Sequence, residues 1–194
     1  MRYSYRSSAP VWTLIAINTF VFIITTISPD IGGFLALTKP IFGFNYWSIL
    51  TAMFVHANFS HIFFNMLTLY FFGIFCLQLI DSKWFLVVYF IGGIFGNILF
   101  LLIGSAYSVV AGASGAIYAI GGVLVMMRPT LRVYLYFLVP MPLWVVIIIG
   151  FLLTAFSGGV AWQAHLGGLI VGLIAGFFLR RRERQSLGPG YYRW

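Results

Sequence analysis

Charged side chains are scarce in this sequence. They make up 7% of the 194 residues, whereas hydrophobic residues make up 62%. A soluble domain carries about 25% charged residues. The chain therefore has too little polar surface to cover a water-facing globule, and lipid must cover most of it. We predict an integral, multi-pass membrane protein.

Acidic residues are especially few, and their scarcity excludes several reaction classes. The three acids are Asp30, Asp81 and Glu183, and all lie at the ends of apolar segments. No pair of intramembrane carboxylates can form, which excludes an aspartyl protease, and no acid is placed to complete a Ser-His-Asp triad. The His-Glu-x-x-His motif of zinc proteases is also missing. The sequence also argues against an ion-coupled transporter, because such proteins depend on ionisable residues within their spans and few are present here.

Cysteine is nearly absent as well. The single Cys76 lies in an apolar segment, so neither an intrachain disulfide nor a cysteine metal cluster can form. We expect no metal and no cofactor, and the length suits one domain over residues 1–194. The first apolar stretch, 11–27, has no small-residue cleavage site and is followed by further spans. It is therefore predicted to be a retained helix rather than a signal peptide.

Apolar runs of about 20 residues, the length that crosses a bilayer, recur along the chain. Polar or helix-breaking stretches such as Arg128-Pro129-Thr130 separate them. We predict an all-α bundle of six transmembrane helices, at residues 11–27, 58–79, 83–104, 114–128, 133–153 and 160–179. Pro140 and Pro142 predict a kink or a loosened stretch in the fifth helix.

Positive charge is distributed unevenly around these spans. With the N-terminus inside, only Lys39 faces outward. The basic residues on the cytoplasmic side are Arg2, Arg6, Lys83, Arg128, Arg132, Arg180, Arg181, Arg182, Arg184 and Arg193. Because basic residues accumulate in cytoplasmic segments, both termini are predicted to lie inside. The net charge of +8 thus marks membrane flanks and headgroup contacts, and we expect no nucleic-acid partner.

This orientation brings the starts of the second, fourth and sixth spans to the outer side. Those starts carry His56 and His61, then Ser114, then His165. The fourth span has about 15 residues and is roughly 22 Å long, against a hydrocarbon core of about 30 Å. Ser114 is therefore predicted below the outer surface. The Gly-rich backbone before it must be buried in protein or face water.

The sequence Gly112-Ala113-Ser114-Gly115 opens the fourth span. The glycines allow a sharp turn and leave the hydroxyl uncrowded, while N–H groups at a helix N-terminus can bind an oxyanion. The motif is therefore a candidate nucleophile site. The alternative is that these residues only provide small-residue packing between membrane helices, which is common.

His165 shares one helix face with Gly168 and Gly172. A face without bulk lets another backbone approach closely, and a serine–histidine hydrogen bond of about 2.6–3.2 Å requires such an approach. The best partner is the small face of the fourth span, formed by Ser114, Gly115, Ala119 and Gly122. Tyr118 is placed to stack on the imidazole. The alternative is a histidine that only bonds a neighbouring carbonyl.

His61 and Asn65 lie four residues apart on one face of the second span. Both can donate toward a developing oxyanion, Asn65 from its amide and His61 from a ring N–H. His56 lies at the start of this helix, where it either takes a direct part or only caps or braces the helix.

Together these motifs resemble the rhomboid intramembrane serine proteases, over essentially the whole chain. The matching motifs are His56-x4-His61-x3-Asn65, Gly112-x-Ser114-Gly115 and Ala164-His165-x2-Gly168-x3-Gly172. The resemblance implies Ser114 as nucleophile and His165 as general base. It also implies an oxyanion hole formed by the Ser114 N–H, His61 and Asn65. The supporting residues would be Gly112, Gly115, Tyr118, His56 and Gly168.

The resemblance also implies a fold and a function. We expect the basic six-helix form in a prokaryotic inner membrane, with an active site open to the outer side. It would cleave transmembrane protein substrates through a Ser-His dyad and an acyl-enzyme. The sequence departs from the family at Ser48, where rhomboids often have arginine, and at Gln78, where they often have an acid.

Two alternatives stay open, and the sequence leaves the oligomeric state unknown. One is an inactive rhomboid-like chaperone or binding protein, although Ser114 and His165 are both present. The other is a small transporter or channel in which the glycines serve only packing.

Overall fold

A computed structural model describes residues 7–135, 139–156 and 161–187. Positions 136–138 of the predicted fifth span, position 160 of the sixth, and Arg2, Arg6 and Arg193 of the charge pattern lie outside the described residues. The helices are α1 (Ala9–Ile27), α2 (Pro29–Leu35), α3 (Ser48–Thr51), α4 (Phe59–Leu79), α5 (Ser82–Ile103), α6 (Ser114–Met127), α7 (Leu143–Phe156) and α8 (Trp162–Leu187). The strands are β1 (Arg132–Leu135) and β2 (Val139–Pro142), and a 3₁₀ turn follows α3 at Ala52–Phe54.

Side-chain caps fix where the two central long helices begin. The Asn58 side-chain oxygen accepts from the His61 N–H at 2.8 Å and starts α4. Asp81 accepts from the Trp84 N–H at 2.9 Å and starts α5. Each cap satisfies a backbone N–H that has no partner within the helix. Both helices therefore begin within one residue of their predicted starts.

The prediction of a mostly helical membrane protein is confirmed. Among the described residues, four helices are long and apolar enough to cross a bilayer: α1, α4, α5 and the Trp162–Glu183 part of α8. Two shorter apolar helices, α6 and α7, have 14 residues each. Large apolar side chains remain exposed on the outside of the bundle, including Phe20, Phe64 and Leu102. Lipid would cover such a surface.

The fold is mostly helical rather than all-α, and the fifth helix predicted over 133–153 is wrong in its first part, where two short strands precede the helix in the stretch that Pro140 and Pro142 predicted to be kinked or loosened. Strands β1 and β2 form an antiparallel hairpin in which Arg132 pairs with Pro142 and Val133 with Met141. Proline costs about 3 kcal/mol or more inside a helix because it lacks an N–H and clashes with the preceding turn. Helix α7 therefore begins at Leu143, immediately after Pro142. Hydropathy missed this boundary because an apolar strand and an apolar helix have the same composition.

The first connection and the last helix also differ from prediction. The stretch between α1 and α4 contains the short helices α2 and α3, which the apolar pattern did not indicate. Helix α8 continues past the predicted end at residue 179 to Leu187, so the arginine run extends the helix instead of ending it.

Helix α6 lies at the centre of the fold and contacts α4, α5, α7 and α8. Its backbone touches those of its neighbours at glycines. A Cβ on Gly168 would overlap the Gly115 carbonyl oxygen, and one on Gly172 would overlap the Ala119 carbonyl oxygen. The predicted close packing between the small faces of these two helices is thus confirmed.

Candidate active site

The loop before α6 places Ser114 at the first position of that helix. Gly112 has φ +118°, a backbone conformation that favours glycine. Its N–H donates to the Ala52 carbonyl at 2.9 Å. A Cβ at Gly112 would lie 2.8 Å from His61 Nε2. Glycine is therefore needed here both for the turn and for the space beside His61.

Helices α6 and α8 bring Ser114 and His165 together. Ser114 Oγ lies 2.7 Å from His165 Nε2, and His165 is buried at 5% exposure. The Tyr118 ring stacks on the imidazole with centroids 4.6 Å apart and an interplanar angle of 23°. The predicted stacking is therefore present. This geometry suits proton transfer from a hydroxyl to a neutral imidazole.

Helix α4 supplies polar groups to the same cavity. His61 Nδ1 accepts from the Ala57 N–H at 3.4 Å, which leaves the proton on Nε2, the atom beside Gly112. One amide hydrogen of Asn65 is donated to the His61 carbonyl at 2.8 Å. The second amide hydrogen is available to another acceptor. Both side chains can therefore present N–H groups near Ser114.

His56 does not line this cavity. Its Nδ1 lies 3.3 Å from the Phe54 carbonyl, and its ring meets the His61 ring edge to face at 5.0 Å. Burial, and to a lesser degree His61, lowers the pKa of His56 to about 4, so the ring is neutral near pH 7. These contacts favour the bracing role over a direct one.

The cavity has a volume of about 880 Å³ and is partly open to its surroundings. Its polar lining includes Asn65, Thr154 and the facing Ser114 and His165. Apolar walls from α4 and α7 continue it, among them Phe72 and Ile147. A pocket with a few convergent polar groups and apolar walls is typical of a ligand or substrate site.

Sequence reasoning missed Thr154. Its Oγ1 lies 3.1 Å from His165 Nδ1 and donates to the Phe151 carbonyl at 2.9 Å. The only sequence signal was a single hydroxyl at the end of an apolar run, one residue beyond the predicted fifth span. No periodicity links positions 154 and 165, because a break in the helices separates them.

The loop that departs from the family pattern at Ser48 is held by other bonds. Ser48 is 1% exposed, and its hydroxyl donates to the Asn45 carbonyl at 2.5 Å. Trp47 donates to the Phe34 carbonyl at 3.2 Å. From α5, the Asn97 amide donates to the Ile49 carbonyl at 2.8 Å. The loop is thus fixed to the bundle with serine at this position.

Comparison with known proteins identifies the family. The Rhomboid domain model matches residues 43–182. RHOMBOID-like protein 4 of Arabidopsis thaliana is 33% identical over 165 residues, covering 81% of this chain and 41% of that protein. RHOMBOID-like protein 12, mitochondrial, of the same plant is 29% identical over 157 residues, covering 69% of this chain and 46% of that protein.

A bacterial relative gives the same result. Rhomboid protease GluP of Bacillus subtilis (strain 168) is 31% identical over 130 residues, covering 67% of this chain and 25% of that protein. The chain thus spans less than half the length of these three relatives. Because the domain model matches well over half of the chain, this protein belongs to the rhomboid family.

Proposed function

We propose that this protein is an intramembrane serine endopeptidase that cleaves transmembrane segments of other membrane proteins. The observation that carries the proposal is the 2.7 Å contact between Ser114 Oγ and His165 Nε2 inside a half-open cavity. The matched bacterial relative is named a rhomboid protease, which supports proteolysis over the two alternatives of an inactive binding protein and a transporter.

The proposed reaction proceeds through an acyl-enzyme. A substrate carbonyl carbon binds beside Ser114, His165 Nε2 takes the hydroxyl proton, and Oγ attacks the carbon. The oxyanion that forms accepts from the Ser114 N–H, His61 Nε2–H and the Asn65 amide. His165 then returns the proton to the leaving amine, and water hydrolyses the ester with His165 again as base.

The proposed membrane arrangement is one domain in which α1, α4, α5, α6, α7 and α8 all cross the bilayer. With both termini inside, the described basic residues on the inner side are Lys83, Arg128, Arg132, Arg180, Arg181 and Arg182, and the cavity opens outward. The proposed location is a prokaryotic inner membrane. The bacterial relative supports this location, whereas another matched relative is named a mitochondrial protein.

Cleavage of a model single-span substrate in detergent tests the proposal. Wild type is expected to cut the substrate once, at a site mapped by mass spectrometry, and Ser114→Ala to lose all cleavage. Asn65→Ala is expected to lower kcat by about 10²–10³-fold, the usual effect of removing one oxyanion donor. Full cleavage by Ser114→Ala would disprove the assignment.

A serine-reactive fluorophosphonate separates the proposal from its rivals. The probe is expected to label wild type at Ser114, and neither Ser114→Ala nor His165→Gln to a comparable degree. A folded wild-type protein that resisted the probe and left every single-span substrate intact would instead favour a binding protein or a transporter.

A further inference from the structure

A chain of polar contacts continues from the dyad to α7. His165 Nε2 faces Ser114, and on the opposite side of the ring Nδ1 faces Thr154 Oγ1 at 3.1 Å. The Thr154 hydroxyl donates to the Phe151 carbonyl at 2.9 Å. The Tyr118 ring stacks on one face of the imidazole. Each ring nitrogen of this buried histidine therefore has one oxygen partner.

This chain favours one position for the imidazole proton. A carbonyl oxygen can only accept, so the 2.9 Å bond to Phe151 uses the single Thr154 hydrogen, and the Tyr118 hydroxyl is a further hydrogen-bond partner of Thr154. The lone pairs of Thr154 Oγ1 are then free to accept from His165 Nδ1–H. With its proton on Nδ1, a neutral imidazole leaves Nε2 as an acceptor for the Ser114 hydroxyl. This is the tautomer that a general base requires.

We propose that Thr154 is a positioning residue that holds His165 in its base-competent tautomer and orientation. The inference rests on the proposed protease function and extends it to α7. In serine proteases with a triad, a buried carboxylate performs this task. Among the described residues, the side chain within hydrogen-bond distance of His165 Nδ1 is the neutral Thr154. A neutral acceptor orients the ring, and it stabilises the imidazolium less than a carboxylate does.

Kinetics of Thr154→Val and Thr154→Ser test the role. Valine keeps the shape and removes the oxygen, so kcat is expected to fall about 10- to 100-fold, the range for one hydrogen bond to a group that becomes charged. KM should stay near the wild-type value because the contact acts through His165. Serine keeps the oxygen and should restore most of kcat.

Thr25→Val is the matched control. Thr25 lies in α1, and its hydroxyl donates to the Phe22 carbonyl three residues earlier, as Thr154 does to Phe151. It is buried and does not line the cavity that contains Ser114. The kcat of Thr25→Val should equal that of wild type. An equal loss of kcat in both valine variants, or a loss in Thr154→Val that serine does not rescue, would overturn the proposal.

Nitrogen NMR of histidine-labelled protein reads the tautomer without any substrate. The chain has three histidines, and the His165 signals are those that disappear in His165→Gln. Wild type is expected to show a protonated Nδ1 and a bare Nε2, and Thr154→Val a mixture of both tautomers. A proton on Nε2 in wild type, or unchanged signals in Thr154→Val, would overturn the proposal even if cleavage occurs.

The two proposals therefore fail in different ways. Absence of cleavage and of fluorophosphonate labelling in wild type defeats the protease function. If the His165 tautomer in Thr154→Val is the same as in wild type, the positioning role of Thr154 is disproved, while cleavage by Ser114 can still occur.

Discussion

The α6–α8 pair and α7 contribute to the same cavity but are held in place very differently. Helices α6 and α8 meet backbone to backbone at glycines, with Gly168 against the Gly115 carbonyl. Most of α6 is buried. By contrast, only Leu143 and Ile147 of α7 are buried, and large side chains such as Leu153 and Phe156 are exposed.

This difference in packing concerns two contacts of His165, one with Ser114 and one with Thr154. The distance between Ser114 and His165 is set by two helix backbones that already touch at glycines. The contact between Thr154 and His165 depends on a helix with little burial to fix its position. The proposed nucleophile and base therefore lie in the tightly packed part, and the residue proposed to orient the base lies in the weakly packed part.

Gly168→Ala is expected to have the largest effect, because it disrupts the contact between α6 and α8. Its Cβ would overlap the Gly115 carbonyl oxygen, and both groups belong to helix backbones. We expect a loss of about 1–3 kcal/mol in the free energy of unfolding, the usual cost of overpacking, and separation of Ser114 from His165. The measurements are thermal unfolding in detergent and the rate of fluorophosphonate labelling.

Gly150→Ala is the matched change on α7. Its Cβ would lie 3.3 Å from the Tyr118 hydroxyl, the far end of a side chain. Alanine also favours a helix over glycine by about 0.5–1 kcal/mol, so stability should be unchanged or slightly higher. Equal destabilisation by both alanines would show that α7 is as tightly constrained as α6 and α8.

Gly112→Ala would show how far the rigid region extends before α6. A φ of +118° is strained for alanine, and the new Cβ would press on His61 Nε2 at 2.8 Å. We expect kcat to fall about 10²-fold through displacement of His61, the proposed oxyanion donor, with a smaller loss of thermal stability. A large drop in the unfolding midpoint with kcat retained would assign the loop to folding instead.

Glu183→Gln should have the smallest effect. Glu183 accepts two bonds from the Arg128 guanidinium, at 2.6 and 2.9 Å, and so joins α8 to the end of α6. The Arg128 side chain is 39% exposed, and exposed ion pairs contribute about 0–1 kcal/mol. The unfolding midpoint should fall slightly at low salt and less at high salt. A midpoint drop as large as that of Gly168→Ala would show that charge, not glycine packing, joins the pair.

The sequence predicts the contacts whose partners repeat at helical spacing. Gly168 and Gly172 indicate which face of the last span approaches Ser114, and the four-residue step from His61 to Asn65 places both on one face. Those inferences need only the period of a helix. The apolar runs predicted at 58–79 and 83–104 likewise start within one residue of α4 and α5.

Other features depend on contacts that have no period. The β1–β2 hairpin replaces the first part of a predicted helix, because proline N–H groups are missing where hydropathy alone sees an apolar run. The Thr154–His165 contact depends on how α7 docks beside α8. The sequence allows His56 either a direct part in the site or a bracing role, and its contact with the Phe54 carbonyl favours bracing.

The shortness of α6 has a consequence for the electrical barrier of the membrane. Its 14 residues span about 21 Å, and beneath Ser114 they carry the buried side chains of Ile120, Val123, Leu124 and Met127. If water fills the cavity above, this apolar layer is what an ion must still cross, at the high cost of leaving water. The apolar side chains of α6 would then prevent protons from crossing the membrane at this point while Ser114 is in contact with water.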